Sequence, residues 1–359
     1  MTHSSRRGCQ RSSQTDVIVL LRANGRHAPG VNPGAWPLGA PSLRDYAPKP
    51  PSGGSPGAGP ARARLLAAFA AVYVLWGCNF LAIRYAVEAV PPFLMMGLRS
   101  LLAGAVLFAG GVLIEGQWPR VRHWRSAFLV GALFFVGCHG LLAWSEQRVP
   151  SGIAALVLAT IPMWMLLLDW MTGGERPRLG VALGMVLGFA GVMVLVRGSA
   201  PGARALSPAG LLGLAVSAFM WAAGSMVARR VELPRALGVT AGMELLCGGA
   251  LLVGLAGALG EWSRLGPQAF TPRPLLSMAY MIVASSLLGF TAFAWLLRHT
   301  SPARAGSYAF VNPVVAVLVG WAVGGEPLHL RTLLAGAAVV AGVALVVLSG
   351  ARAPRAARA

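Results

Sequence analysis

The sequence predicts an all-α integral membrane protein, with ten transmembrane helices forming two inverted five-helix repeats. Three observations carry that reading. Of 359 residues, 56% are hydrophobic and only 11% are charged, and mean hydropathy is +0.66, whereas a soluble domain is about 25% charged. Apolar runs long enough to cross a hydrocarbon layer of about 30 Å recur ten times. The second half also repeats the first in register. Disorder, a coiled coil and a conventional nucleic-acid-binding protein are poor fits, despite a formal charge of +19.

Residues 1 to 64 are rich in Pro, Gly, Ser and Arg and carry one short apolar patch, Val17 to Leu21. They are expected to form a disordered basic cytosolic tail, the patch being too short for a signal-peptide core. A translation start placed too far upstream is the alternative origin of this stretch. The first repeat, 65 to 196, holds apolar segments at 65 to 86, 92 to 114, 126 to 145, 151 to 170 and 179 to 196. The second, 208 to 349, holds segments at 208 to 227, 238 to 259, 274 to 297, 303 to 323 and 331 to 349, before a basic tail at 350 to 359. Pro92, Pro208 and Pro274 stand at segment starts, where a missing N–H costs a helix nothing.

Sorting the cations by alternating crossings, with the N-terminus inside, puts 22 Lys and Arg on the cytosolic side and six outside; Arg84 and Arg99 stay within spans. The excess of positive loops inside predicts both termini in the cytosol, on the plasma or inner membrane. Cys9, Cys78, Cys138 and Cys247 form no CxxC pair, which argues against a disulfide scaffold or zinc knuckle and for small apolar packing groups.

The repeat is read from spacing. Trp76, Arg84 and Gly97 recur as Trp221, Arg229 and Gly242 at an offset of 145, while Pro162, Trp170, Glu175 and Gly191 recur as Pro313, Trp321, Glu326 and Gly342 at 151. Five is odd, so the second copy enters from the opposite side. Inverted copies can hold two conformations of similar energy around one midplane site, the basis of alternating access. A duplicated scaffold that transports nothing is the other reading.

The blocks 72 to 109 (VYVLWGCNFLAIRYAVEAVPPFLMMGLRSLLAGAVLFA), 143 to 196 and 308 to 348 resemble EamA-type members of the drug/metabolite transporter superfamily, the YedA-like exporters in particular. The resemblance spans about residues 65 to 349, with a looser match over 208 to 305. It implies ten helices in two EamA repeats, a plasma-membrane location and export of small metabolites or drugs.

Charged residues inside spans need a reason. Arg99 and Glu244 share a repeat position and are expected roughly 10 Å apart in depth; they could line the outer and inner vestibules of one pathway, Glu244 being the proton-coupling candidate. Arg99 snorkelling outward and Glu244 pairing with Arg235 is the structural alternative. Pro162 and Pro313 are expected to break helices four and nine near their middles, freeing the carbonyls of Leu158 and Ala309 and making Asn312 a hydrogen-bonding candidate. Trp76, Asn79, His139, Trp164, Trp221, Tyr280 and Tyr308 complete an aromatic, weakly polar lining; Trp144, Trp170 and Trp321 read as interface anchors. His139 lies deeper and could titrate near neutral pH, but it reads first as a neutral histidine bonded to a neighbouring helix. Asp169 and Glu146, near span ends, rank below Glu244. Glu175 and Glu326 are expected to face the N-terminal ends of helices five and ten. Gly180, Gly184, Gly188, Gly238 and Gly242 predict close helix contacts, within one chain or across a homodimer.

No GxxxxGK[ST] or HExxH motif occurs and no GxSxG lies within a span, and neither a metal nor a cofactor is expected. The expected function is secondary active export of small organic metabolites, amino acids or drugs by alternating access, coupled to protons, with no enzymatic activity and no nucleic-acid partner. An intramembrane enzyme and a scaffold subunit are the competing classes.

Overall fold

The computed structural model describes residues 62–173, 176–196, 207–300 and 307–351, the side chains of 196, 297, 298, 350 and 351 excepted. The expected tails, apart from residues 62–64 and the backbone at 350–351, lie outside this range, as does Glu175. Among the described residues regular structure is entirely helical. Eight helices are long and apolar enough to cross a membrane: α1 (Arg62–Val87), α2 (Pro92–Glu115), α3 (Val121–Glu146), α4 (Ser151–Met171), α6 (Pro208–Ala228), α7 (Leu237–Ala258), α8 (Pro272–Leu296) and α10 (Leu330–Ala351). Two further apolar helices, α5 (Leu179–Val196) and α9 (Tyr308–Ala322), are shorter.

Local chemistry sets the boundaries. Pro92 and Pro208 begin α2 and α6, and the Ser207 hydroxyl accepts from the Gly210 N–H at 3.2 Å, supplying one of the partners a first turn lacks. Gly116 ends α2 at φ 65°, a left-handed conformation suited to glycine. The apolar faces do not all turn inward: Leu113, Val186 and Leu212 remain exposed, as lipid-facing side chains do.

Two close helix pairs carry the packing. Along α2 and α7, Gly97 meets Gly249 and Val253, Gly104 meets Gly242 and Leu245, and Gly111 meets Gly238 and Val239. One number rises as the other falls, so the helices run antiparallel. The pair α5 and α10 behaves alike, Gly180 meeting Ser349, Gly184 meeting Gly342 and Val346, and Gly191 meeting Ala335 and Val339. With no Cβ in the way the backbones approach closely, so these glycines serve contacts within one chain. Gly188, from the same stripe, is filled by Met163.

The connections collect at two ends. At one, Arg273 pairs with Glu88 at 3.3 Å, Tyr85 donates to the Val323 carbonyl at 3.0 Å, and Leu94 N–H donates to Glu261 Oε2 at 2.8 Å. At the other, Arg122 pairs with Glu232 at 2.8 Å and Ala236 N–H donates to Gln117 Oε1 at 2.9 Å.

Three expectations are corrected. Pro162 does interrupt α4, whose helical pieces are Ser151–Leu158 and Ile161–Met171, but Pro313 breaks nothing: α9 runs through it. Helix nine is described from Tyr308, with Pro313 its sixth residue; residues 303–306 of the expected span lie outside the described range. Glu326 does not face α10. Its Oε1 and Oε2 accept from the N–H groups of Ser151 and Gly152, at 2.7 and 3.1 Å, so it caps α4 from across the structure. Arg99 does not snorkel: it is 7% exposed.

Candidate functional site

Six of the expected site residues gather around two stretches that no periodicity marks. Residues Ala132–Gly140 of α3 and Tyr280–Gly289 of α8 wind as π-helix, a rare geometry that recurs at functional sites. They sit in the third helix of each repeat, and α2 packs against both.

Arg99 projects from α2 toward these stretches. Its guanidinium donates to Ser286 Oγ at 3.3 Å and contacts Met96 Sδ at 3.4 Å, while Nε, also buried, has no partner. Ser286 in turn donates to the Met281 carbonyl at 2.9 Å. His139 lies close enough to feel the Arg99 charge; its ring packs on Phe135 at 5.1 Å and edge-on to Trp221 at 5.4 Å, and Nδ1 is buried without a partner. A histidine bonded to a neighbouring helix through that nitrogen is therefore not what the structure holds.

One residue along α8, the Ser285 carbonyl accepts from Trp76 Nε1 at 3.1 Å. Trp76 packs edge-on against Tyr308 at 5.0 Å and against Phe293 at 5.2 Å. Tyr280 donates to the Leu75 carbonyl at 3.0 Å. Arg99, His139 and Trp221 thus form one group, Trp76, Tyr280 and Tyr308 a second, and Ser285 and Ser286 join them. Trp164 belongs to neither, packing edge-on to Phe189 and Phe219. Asn79 and Asn312 each keep a buried carbonyl oxygen without a partner, and the Asn312 backbone lies against Gly77 of α1. Buried polar atoms left unpaired are costly.

Glu244 stands apart. No ion pair joins it to Arg99 or Arg235 among the described residues. The α2/α7 register sets it about 5–10 Å from Arg99 along the axis at 1.5 Å per residue. Of the expected anchors, Trp170 and Trp321 are about half exposed at helix ends, whereas Trp144 lies under Arg148, whose guanidinium sits 4.0 Å from the ring.

A recess of about 420 Å³ opens at the end that carries Glu88 and Glu261, lined by Val90, Phe93, Trp144, Arg148, Glu261 and Arg264 among others. Sequence reasoning missed Glu261, which is 2% exposed. Burial pushes its carboxyl above the ordinary range, against the pull of the Leu94 N–H and the Arg264 charge. It also missed Ser285 and Ser286, although a serine pair inside the apolar run YMIVASSLLG is a polar signal in a span.

The sequence pattern of the EamA-like transporter family matches residues 63–197 and again 208–348. The chain belongs to the EamA-like transporter family. It is 36% identical over 286 residues to the uncharacterized inner membrane transporter YedA of Escherichia coli (strain K12), covering 79% of this chain and 90% of that protein. It is 27% identical over 288 residues to a probable amino-acid metabolite efflux pump of Salmonella typhimurium, covering 76% and 91%. A solved crystal structure 25% identical to the chain superposes with a TM-score of 0.55, over 81% of this chain and 99% of the other. Family membership and the apolar helices make this a multi-pass membrane transporter.

Proposed function

We propose that the protein exports small organic solutes, amino-acid metabolites among them, across the plasma membrane by alternating access, in exchange for protons. The observation that carries this reading is Arg99: a guanidinium buried between α2 and α8, short of one partner, beside His139 and Ser286. A cation held this way is suited to an anionic group such as a solute carboxylate. The aromatic groups around Trp76 and Trp221 fit its apolar body.

In this proposal α5 and α9 cross the membrane as well, giving ten spans in two inverted repeats with both termini in the cytosol. Antiparallel packing of α2 on α7 and of α5 on α10 supports it, because each pair joins helices at matching repeat positions. The relative named as an amino-acid metabolite efflux pump supports the solute class. Glu244 and Glu146 are the carboxyl groups that proton exchange can draw on. Neither catalysis nor a cofactor enters the mechanism.

The test is counterflow in proteoliposomes preloaded with unlabelled amino acids and presented with labelled ones. Uptake above empty liposomes, lost in Arg99→Ala, is the expected outcome. No counterflow across the amino-acid panel would sink the solute class.

A further inference from the structure

At the end of α3, Glu146 is wholly buried, and neither carboxyl oxygen has a hydrogen-bond partner. An ionised carboxylate without partners is among the costliest groups to bury. The charged groups near enough to act on it are Arg84 and Glu326. Arg84 of α1 donates to the Glu146 backbone carbonyl and lies 3.8 Å from Glu88, leaving the Glu146 side chain unengaged. Glu326 reaches in from the connection after α9, pinned to the start of α4. Beside Glu326 Oε2 the Ser151 hydroxyl is also buried without a partner, both atoms facing the same point against Gly320.

Among the described residues, the remaining elements packed on this end of α3 bring no further charge to Glu146. Helix α6 contains no ionisable residue, α4 offers only Ser151, and Arg99 of α2 faces His139 and Ser286 instead. On α3's own continuation, Arg148 donates to the Trp144 carbonyl. Arg273 of α8 is taken by Glu88. Gln147 and Arg148, the next two residues, line the 420 Å³ recess.

We propose that Glu146 binds and releases the exchanged proton, with Arg84 turning from Glu88 to the Glu146 carboxylate when the proton leaves. This rests on the transporter reading above and names its coupling group. A proton fits better than a metal cation, because the Arg84 guanidinium would repel a second fixed charge. Glu244 lacks this arrangement: among the described residues no second carboxylate and no guanidinium is paired with it.

The proposal is tested by infrared titration of the full-length protein in liposomes, following the C=O stretch of protonated carboxyls in wild type, Glu146→Gln and Glu244→Gln. A band that fades with rising pH in wild type and Glu244→Gln, and is weakened in Glu146→Gln to what the remaining carboxyls give, is expected. A band unchanged in Glu146→Gln overturns the proposal, as does one that sodium removes at constant pH. Should Glu146→Gln fail to fold, Glu146→Asp replaces it; a shifted titration midpoint is expected and an unshifted one overturns the idea. Counterflow separates the two readings. Absent flux with the band titrating removes the proposed solute class and keeps the proton site, whereas flux insensitive to pH overturns the coupling.

Discussion

Glu326 lies 175 residues from Ser151 in sequence, yet its carboxylate accepts the Ser151 N–H at 2.7 Å. A single side chain thereby ties the connection between α9 and α10 to the first turn of α4. Glu326→Ala should lower stability by about 1 kcal/mol, the usual worth of an N-cap, and Glu326→Gln by less. Chemical denaturation in detergent checks this, and equal stability of all three proteins would refute the capping role.

Helix contact through glycine makes a contrast available on α2 and α7. A Cβ added to Gly104 would lie 2.9 Å from Leu245 Cβ and 3.0 Å from the Leu246 nitrogen, whereas one added to Gly254 meets nothing within 4 Å. Gly104→Val should cost about 1–3 kcal/mol through overpacking. Gly254→Ala should be harmless. Thermal unfolding of the two variants side by side tests the close approach, and matching losses would argue against it.

Arg99 holds Ser286 through one terminal nitrogen, Nη2, while Nη1 contacts Met96 Sδ. Lysine keeps the charge but not the planar fork, so Arg99→Lys should retain part of the solute counterflow that Arg99→Ala loses. Loss of one charge-assisted bond, worth about 1.5–3 kcal/mol, corresponds to about a tenfold or larger fall. Ser286→Ala should weaken solute affinity without lowering protein yield. Undiminished flux in Arg99→Ala would dismiss the guanidinium as a solute contact.

Glu261 predicts a pH effect. Its carboxyl is raised by burial, so the folded protein holds that proton more tightly than the unfolded chain does. The stabilisation is present below the ordinary value of 4.5 and fades as pH climbs through the raised folded value. Melting temperature should fall over that interval in wild type and fall less in Glu261→Gln. Parallel curves would show that Glu261 contributes nothing to the slope.

The helical layout was legible because a span needs about twenty apolar residues and ends at charge or proline; the expected start at 151 coincides with Ser151 of α4, and 179 with Leu179 of α5. Arg99 was legible as a candidate because a charge within a run is conspicuous. Its partner Ser286 was not, since a π turn inserts a residue without changing composition and so hides which side of α8 faces α2. Glu326 was placed at a helix start, but the wrong one, because which N-terminus a glutamate reaches depends on tertiary folding. Glu146 looked hydrated by its place at a span end; only the packing of α1, α4 and α6 around it encloses the carboxyl.

The two π segments give α3 and α8 something a plain helix lacks, a slack residue stored in the winding. Winding that slack out into plain α-helix would turn the downstream part of the helix by about 100° and shift it by about 1.5 Å. On α3 such a rewinding would swing Trp144 and Glu146 to new neighbours while the anchored start at Arg120 stayed still. A lever only nine or ten residues long would then suffice to re-aim one mouth of the bundle without unfolding any of it.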